Sequence, residues 1–238
     1  MTSPLHDRAA PGVDEAIRSR RSVRAFLPEP VDTAVIAELL DVARWAASGS
    51  NAQPWQVSVL LGATLAAVVE QVSAADQAAA GDPDVAARYQ VEYDYYPPTW
   101  TEPYLGRRRQ TGWGLYALLG IGKQDRERMQ AQHNRNFRFF DAPVGLIFSI
   151  DRTLGRGSLL DYGMFLQNVM LAARARGLHT CPQAAWNRYG DIIRPLIGLG
   201  PERMLVCGMA LGHADAADSV NGFQPPRIEA EAFVRWLE

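Results

Sequence analysis

Three short apolar runs, "QVSVLLG" at 56–62, "APVGLIFSID" at 142–151 and "ERMLVCGMALG" at 202–212, are separated by longer stretches in which apolar residues recur at helical spacing. Runs of that length fit buried strands, and the periodic stretches fit amphipathic helices. Strands interleaved with long helices, with no internal repeat, restrict the chain to a layered single domain; we read it as α+β, a central β-sheet flanked by helices. A chain of 238 residues buries roughly 70% of the surface its unfolded form exposes, so neither disulfides nor a structural metal is needed for folding. Cys181 and Cys207 make no disulfide framework and are expected reduced and partly buried.

The helical stretches can be placed one by one. "VDEAIRSR" opens a short first helix, and in "DTAVIAELLDVARWAAS" the residues Val35, Ile36, Leu39, Leu40, Ala43 and Ala47 share a face behind a capping Asp32. "SGSNAQPW" ends that helix through its turn formers Gly49, Asn51 and Pro54. Further helices are expected over 63–81, over 125–140 and over 157–178, where Leu160, Met164, Gln167, Asn168 and Leu171 define one face and Gly177 supplies the stop. "HTCPQAAW" reads as a connecting loop and "RYGDIIRPLIGL" as a helix kinked at Pro195. The tail "FQPPRIEAEAFVRWLE" is amphipathic, and its Trp236 and Leu237 call for a partner surface.

Residues 1–12 read as a flexible leader, and 13–238 as one domain. Within it, residues 82–122 hold six of the eight tyrosines, together with Trp100 and Trp113. That composition is unlike a disordered spacer and fits an inserted cap whose aromatics pack on the body or line a pocket.

Charge narrows the function. Net charge is −2, against which stands an N-terminal cluster "RSRRSVRAF" and a single lysine, Lys123. The acidic balance and the lack of a recognition-helix module oppose nucleic-acid binding, and no apolar stretch is long enough for a membrane span. No G-x-G-x-x-G follows a strand, no P-loop is present, and His179 with Cys181 lacks the further ligands that zinc needs, so no metal is expected. Arginine forks and a hydroxyl suit a phosphate group, which Arg20, Ser22 and Arg24 could offer; Arg227, after two prolines, is a further candidate. Taken singly, each of these reads more simply as a solvated cation than as a ligand contact.

In combination, "SRRSVRAF", "AASGSNAQPW", "CPQAAW", "FFDAPVGLIFSID", the helix carrying "LQNVMLAARARGL" and the ending "LGHAD" through "PPR" resemble, in order and spacing, the FMN-dependent nitroreductase family from about residue 13 to 237. The resemblance implies a nitroreductase-like FMN-binding fold and a homodimer with an extended C-terminal tail and its flavin at the interface; the N-terminus, with no apolar signal region, reads as that of a soluble cytoplasmic protein. It implies that Arg20, Ser22 and Arg227 hold the FMN phosphate and that Arg24 reaches the pyrimidine edge of the ring. Arg21 is counted with the cofactor-binding residues, although its charge needs no more than an exposed or interfacial place; Arg18 keeps that plain assignment. Ser48, Gly49, Asn51 and Gln53 would come from the other subunit. Pro182, Gln183, Ala184 and Ala185 would face the flavin, with Asn136 as a further contact. Relatives of the best-known branch carry Glu-Gly where this chain has Ala184 and Ala185, a departure that backbone N–H donors tolerate.

The implied activity is NAD(P)H oxidation coupled to reduction of a nitroaromatic or quinone-like acceptor by a ping-pong scheme, with hydride chemistry at flavin N5 and no side-chain catalyst. Tyr93, Tyr96, Trp100 and Trp113, with Tyr95 beside them, are the candidates for stacking on a flat acceptor. Reductive dehalogenation, flavin reduction, ring oxidation and non-catalytic flavin binding stand as alternatives.

Overall fold

A computed structural model describes residues 12–238, so the leader lies, but for Gly12, outside the described residues. Strands β1 (Gln56–Leu60), β2 (Val144–Asp151), β3 (His179–Gln183) and β4 (Arg203–Gly212) form one antiparallel sheet in the order β1-β2-β4-β3. The chain winds helices around it: α1 (Val13–Ser19), α2 (Thr33–Ala43), α3 (Gly62–Gly81), α4 (Pro83–Ala86), α5 (Tyr104–Leu118), α6 (Arg126–Asn134), α7 (Arg156–Ala175) and α8 (Gly190–Ile197).

β2 and β4 are buried on both faces, which is why they read as continuous apolar runs rather than alternating ones. Leu146, Phe148 and Ile150 pack with Met209 and Leu211 against α2 and α7, where Leu39, Tyr162, Phe165 and Val169 are buried. On the opposite face Ile147, Leu205 and Ala210 meet Val68 and Val72 of α3, Ile193 of α8, and Phe137 and Trp186. Asp32 caps α2 by accepting from the Ala34 N–H at 2.8 Å.

Four elements differ from the sequence-based expectation, each for a physical reason. "HTCPQ" is not a loop but the edge strand β3, and Pro182 is tolerated because β3 is paired there only with β4. β1 is a half-exposed edge rather than a buried strand, and it ends at Leu60. The helix expected over 125–140 stops at Asn134 and tightens into a turn whose Phe139, Phe140 and Asp141 take φ of 48°, 54° and 65°. Burial of the two rings and ion pairing of Asp141 with Arg135 and Arg138 offset the cost of that left-handed backbone. The tail folds back as extended chain with one short turn at Ala230–Ala232, and Trp236 and Leu237 are exposed.

The face of α7 that carries Leu160 and Met164 points outward, since Tyr162, Phe165 and Val169 take the core side. Residues 82–122 supply α4, an irregular stretch and α5, which buries none of its residues.

Candidate active site

After α1 the chain runs extended along the free edge of β3. Ser22 bridges Thr180 in parallel, the Val23 N–H donates to Thr180 O at 3.1 Å, and Phe26 bridges Ala214. Val23 and Phe26 are buried in the core beneath. Neighbouring side chains alternate along an extended backbone, so seating Val23 turns Ser22 and Arg24 the other way.

Asn221 fixes this segment from the far end of the chain. Its Oδ1 accepts from the Arg24 N–H at 2.7 Å, and its Nδ2 donates to Ala25 O at 2.7 Å and Asp215 O at 2.9 Å. Burial of Asn221 is thereby matched by a full set of partners.

Two cavities meet at Arg24. The first, of about 540 Å³, is lined by five arginines, Arg18, Arg20, Arg21, Arg24 and Arg227, with Ser22, and by no carboxylate. Arg18 leans outward to Asp14 at 3.9 Å. Arg20 is held below the usual guanidinium range, first by burial and then by the neighbouring charge of Arg227. Arg227 donates to its own loop, to Pro225 O at 2.8 Å and Pro226 O at 3.3 Å, and among the described residues no acid pairs with either guanidinium. Arg20 and Arg227, held together with no acid paired to either, are suited to bind an anion.

The second cavity, of about 600 Å³, is lined by Tyr93, Tyr95 and Tyr96, by Cys181 to Ala185, and by Arg24 and Asn136. The Gln183 Nε2 donates to Asn136 O at 2.6 Å, whereas its Oε1 is buried with no partner. An orphaned acceptor in a cavity wall suits a ligand donor. The Cys181 thiol is pushed up to about 11 by burial, against the pull of Arg24 and Arg20, so it stays a neutral wall group.

Most of the sequence candidates gather here. Arg20, Arg21, Ser22, Arg24 and Arg227 line the arginine cavity. Arg24, Asn136, Pro182, Gln183, Ala184, Ala185, Tyr93 and Tyr96 line the tyrosine cavity. Ser48, Gly49, Asn51 and Gln53 line neither. They form a turn with φ of 51° at Ser50, 55° at Asn51 and 49° at Gln53, held by Asp161, which accepts from the Gly49 N–H at 3.1 Å, and by Ser48 Oγ, which accepts from the Gln53 N–H at 3.0 Å. That turn follows a surface groove between Trp45, Leu160 and Met164, whose wall residue Gln167 also lines the arginine cavity. Trp100 and Trp113 line neither cavity; Arg108 stacks over Trp100 at 5.3 Å and Lys123 over Trp113 at 5.4 Å.

Sequence reasoning missed Asp76, Asn187 and Tyr189 in the tyrosine cavity. The Tyr189 hydroxyl donates to Asp76 Oδ1 at 2.9 Å, and Asn134 Nδ2 donates to Asp76 Oδ2 at 3.1 Å. These partners lie 113 and 58 residues apart, so no local pattern announces them. Among the described residues, His, Cys, Asp and Glu nowhere form a group that could hold a metal ion, and no helix is long and apolar enough to cross a membrane.

Comparison with known proteins bears on this arrangement. Residues 17–213 match the model of the Nitroreductase family. The chain is 41% identical to a 4-nitrobenzoate reductase of Pseudomonas putida over 94% of its own length and 95% of that protein's. It is 40% identical to a chloronitrobenzene nitroreductase of Comamonas testosteroni, covering 96% and 98% of the two chains. Among solved structures, the FMN and NADPH-dependent nitroreductase NfnB from Sphigopyxis sp. strain HMH superposes with a TM-score of 0.89 at 40% identity, over 95% of this chain and 99% of that one.

Proposed function

The chain belongs to the nitroreductase family, and we propose that it is an FMN-dependent oxidoreductase that uses NADPH to reduce nitroaromatic acceptors. The observation that carries this reading is the arginine cavity without a carboxylate, which opens at Arg24 onto a cavity walled by tyrosines. An anionic tail and a flat ring system, joined in one molecule, match that pair of cavities. FMN is such a molecule, and when bound it supplies two-electron transfer between nicotinamide and acceptor.

Arg20, Ser22 and Arg227 would hold the phosphate, with Arg21 at the rim. Arg24 sits where the two cavities join and carries a permanent charge, which favours negative charge on the ring beside it. Asn136, Pro182, Gln183, Ala184 and Ala185 would line the ring, and the unpartnered Gln183 Oε1 accepts a donor there. Tyr93, Tyr95 and Tyr96 line the same cavity and suit a second flat molecule. The Cys181 thiol and the Tyr93 phenol, both held neutral by burial, are not activated as nucleophiles, which fits chemistry supplied by a cofactor.

The working unit is a homodimer in this reading. The turn at Ser48–Gln53 and the exposed faces of Trp45, Leu160 and Met164 would meet a second copy, whose flavin the turn completes. Its compartment is the cytoplasm, where NADPH is available and thiols such as Cys181 and Cys207 stay reduced.

The test is optical. Purified protein loaded with FMN is expected to bleach anaerobically on addition of NADPH and to regain colour with a nitroarene such as 4-nitrobenzoate. Quinone and haloarene acceptors, assayed in parallel, rank the alternatives. Failure to bind FMN, or recolouring by oxygen alone, overturns the proposal.

A further inference from the structure

Residues 87–103 form no helix or strand, yet they build one wall of the tyrosine cavity with Val91, Tyr93, Asp94, Tyr95 and Tyr96. Their attachment to the body is uneven. At one end Arg188 donates to Ala86 O at 2.7 Å and Tyr89 O at 3.2 Å, and the Tyr89 ring packs on Tyr189 at 5.1 Å. At the other end Tyr95 and Tyr96 are 57% and 61% exposed, and their rings meet Tyr93 and Trp100 of the same stretch.

Between these ends stands Glu92, whose side chain is only 6% exposed and turns away from the cavity. Its carboxylate is ion-paired with Arg194 of α8 and with Arg152 of the turn between β2 and α7. Arg194, 13% exposed, is also paired with Asp191. Two acids and two arginines therefore balance, which is the condition under which buried charge is tolerated.

The floor of the socket is Gly190. Its φ of −54° and ψ of −38° suit any residue, so glycine is not there for its backbone. A Cβ at that position would overlap Glu92 Oε1 and lie 2.6 Å from Arg194 Nη1. The next residue completes the anchor: the Tyr93 hydroxyl donates at 2.8 Å to Val206 O. Val206 is the extra residue of a bulge in β4, where Phe148 pairs with Cys207 and Ser149 with Leu205.

We infer that Glu92, seated in the Arg152–Arg194–Gly190 socket, is a positioning residue that sets the tyrosine wall and thereby the binding of the aromatic acceptor. The inference rests on the tyrosine cavity being the acceptor site. Glu92 touches neither cavity, so its loss acts on the wall and leaves the arginine cavity intact.

The experiment compares FMN-loaded wild type, Glu92→Gln and Gly190→Ala. Gln keeps the size and removes the charge; Ala keeps the backbone and evicts the carboxylate. Both variants are expected to raise KM for 4-nitrobenzoate roughly tenfold or more, as a displaced binding wall does, with a smaller change in kcat and unchanged FMN affinity. Both are also expected to speed amide hydrogen exchange in residues 87–103 and not in α2 or β2. Wild-type exchange and KM in both variants would overturn the inference. So would parallel loss of FMN affinity, which would mean that the socket supports the whole fold. If wild type reduces no nitroarene, the functional reading fails, while the exchange data still decide whether Glu92 holds the wall.

Discussion

Arg20 keeps its charge in a half-buried position beside a second guanidinium, and an anion between them relieves both the burial and the repulsion. Hydrogen bonds to charged groups contribute about 1.5–3 kcal/mol, so Arg20→Ala is expected to raise the FMN dissociation constant roughly ten- to hundredfold, read by flavin fluorescence titration. Arg18→Ala, on an exposed side chain turned to Asp14, is expected to leave it unchanged. His179 carries a different prediction. It is buried, and burial first, then the charges of Arg174, His213 and Arg21, lower its pKa from 6.5 to about 3. The folded value lies below the unfolded one, so between those limits the unfolded chain binds a proton that the native state refuses. The stabilising contribution is complete above pH 6.5 and is lost as pH falls towards 3, with a slope approaching about 1.4 kcal/mol per pH unit. Urea unfolding at stepped pH should show a slope steeper by about that amount in wild type than in His179→Asn. At this scale the sequence disclosed chemistry but not partners. Arg20 and Ser22 are legible because few side chains bind phosphate well, whereas Asn221 and Asp76 act through contacts that only the folded chain creates.

Among the elements, β4 shows how tightly the sheet is fitted to its neighbours. A Cβ on Gly208 would overlap the Trp186 ring, which is itself stacked on Phe139 at 4.1 Å. Gly208→Ala is therefore expected to destabilise the protein by about 1–3 kcal/mol, seen as a lowered urea midpoint at unchanged slope. The apolar runs of β2 and β4 were readable because burial on both faces makes their composition unmistakable. β3 was hidden by Pro182, which argues for a loop until the strand is known to lie at an edge. The turn at Phe139 to Asp141 was hidden for a related reason: bulky residues at positive φ have no local signature, and only the packed core holds them there. The outward face of α7 was legible as a face but not as to which side it took, because two apolar stripes compete and Tyr162, Phe165 and Val169 win the core.

For the molecule as a whole, one group of exposed apolar residues lines a single surface groove: Trp45, Leu160 and Met164. Trp45 is 76% exposed and Leu160 72%, beside the Ser48–Gln53 turn. The homodimer proposed above would cover this face. Met164→Asp is expected to shift the mass measured by light scattering from dimer towards monomer and to weaken FMN retention in the same step, since the turn and the groove share the face. A monomer that retains full flavin affinity would count against the dimer. Chain order adds a consequence in time. The arginine cavity draws Arg20, Ser22 and Arg24 from the start of the chain and Phe223, Pro225 and Arg227 from its end, and Asn221 ties the two together across 197 residues. A ribosome must therefore release the chain through Arg227 before the pocket exists, so flavin capture waits on a segment some two hundred residues after the first arginines, and a nascent chain stalled before Asn221 has no closed pocket in which to keep flavin.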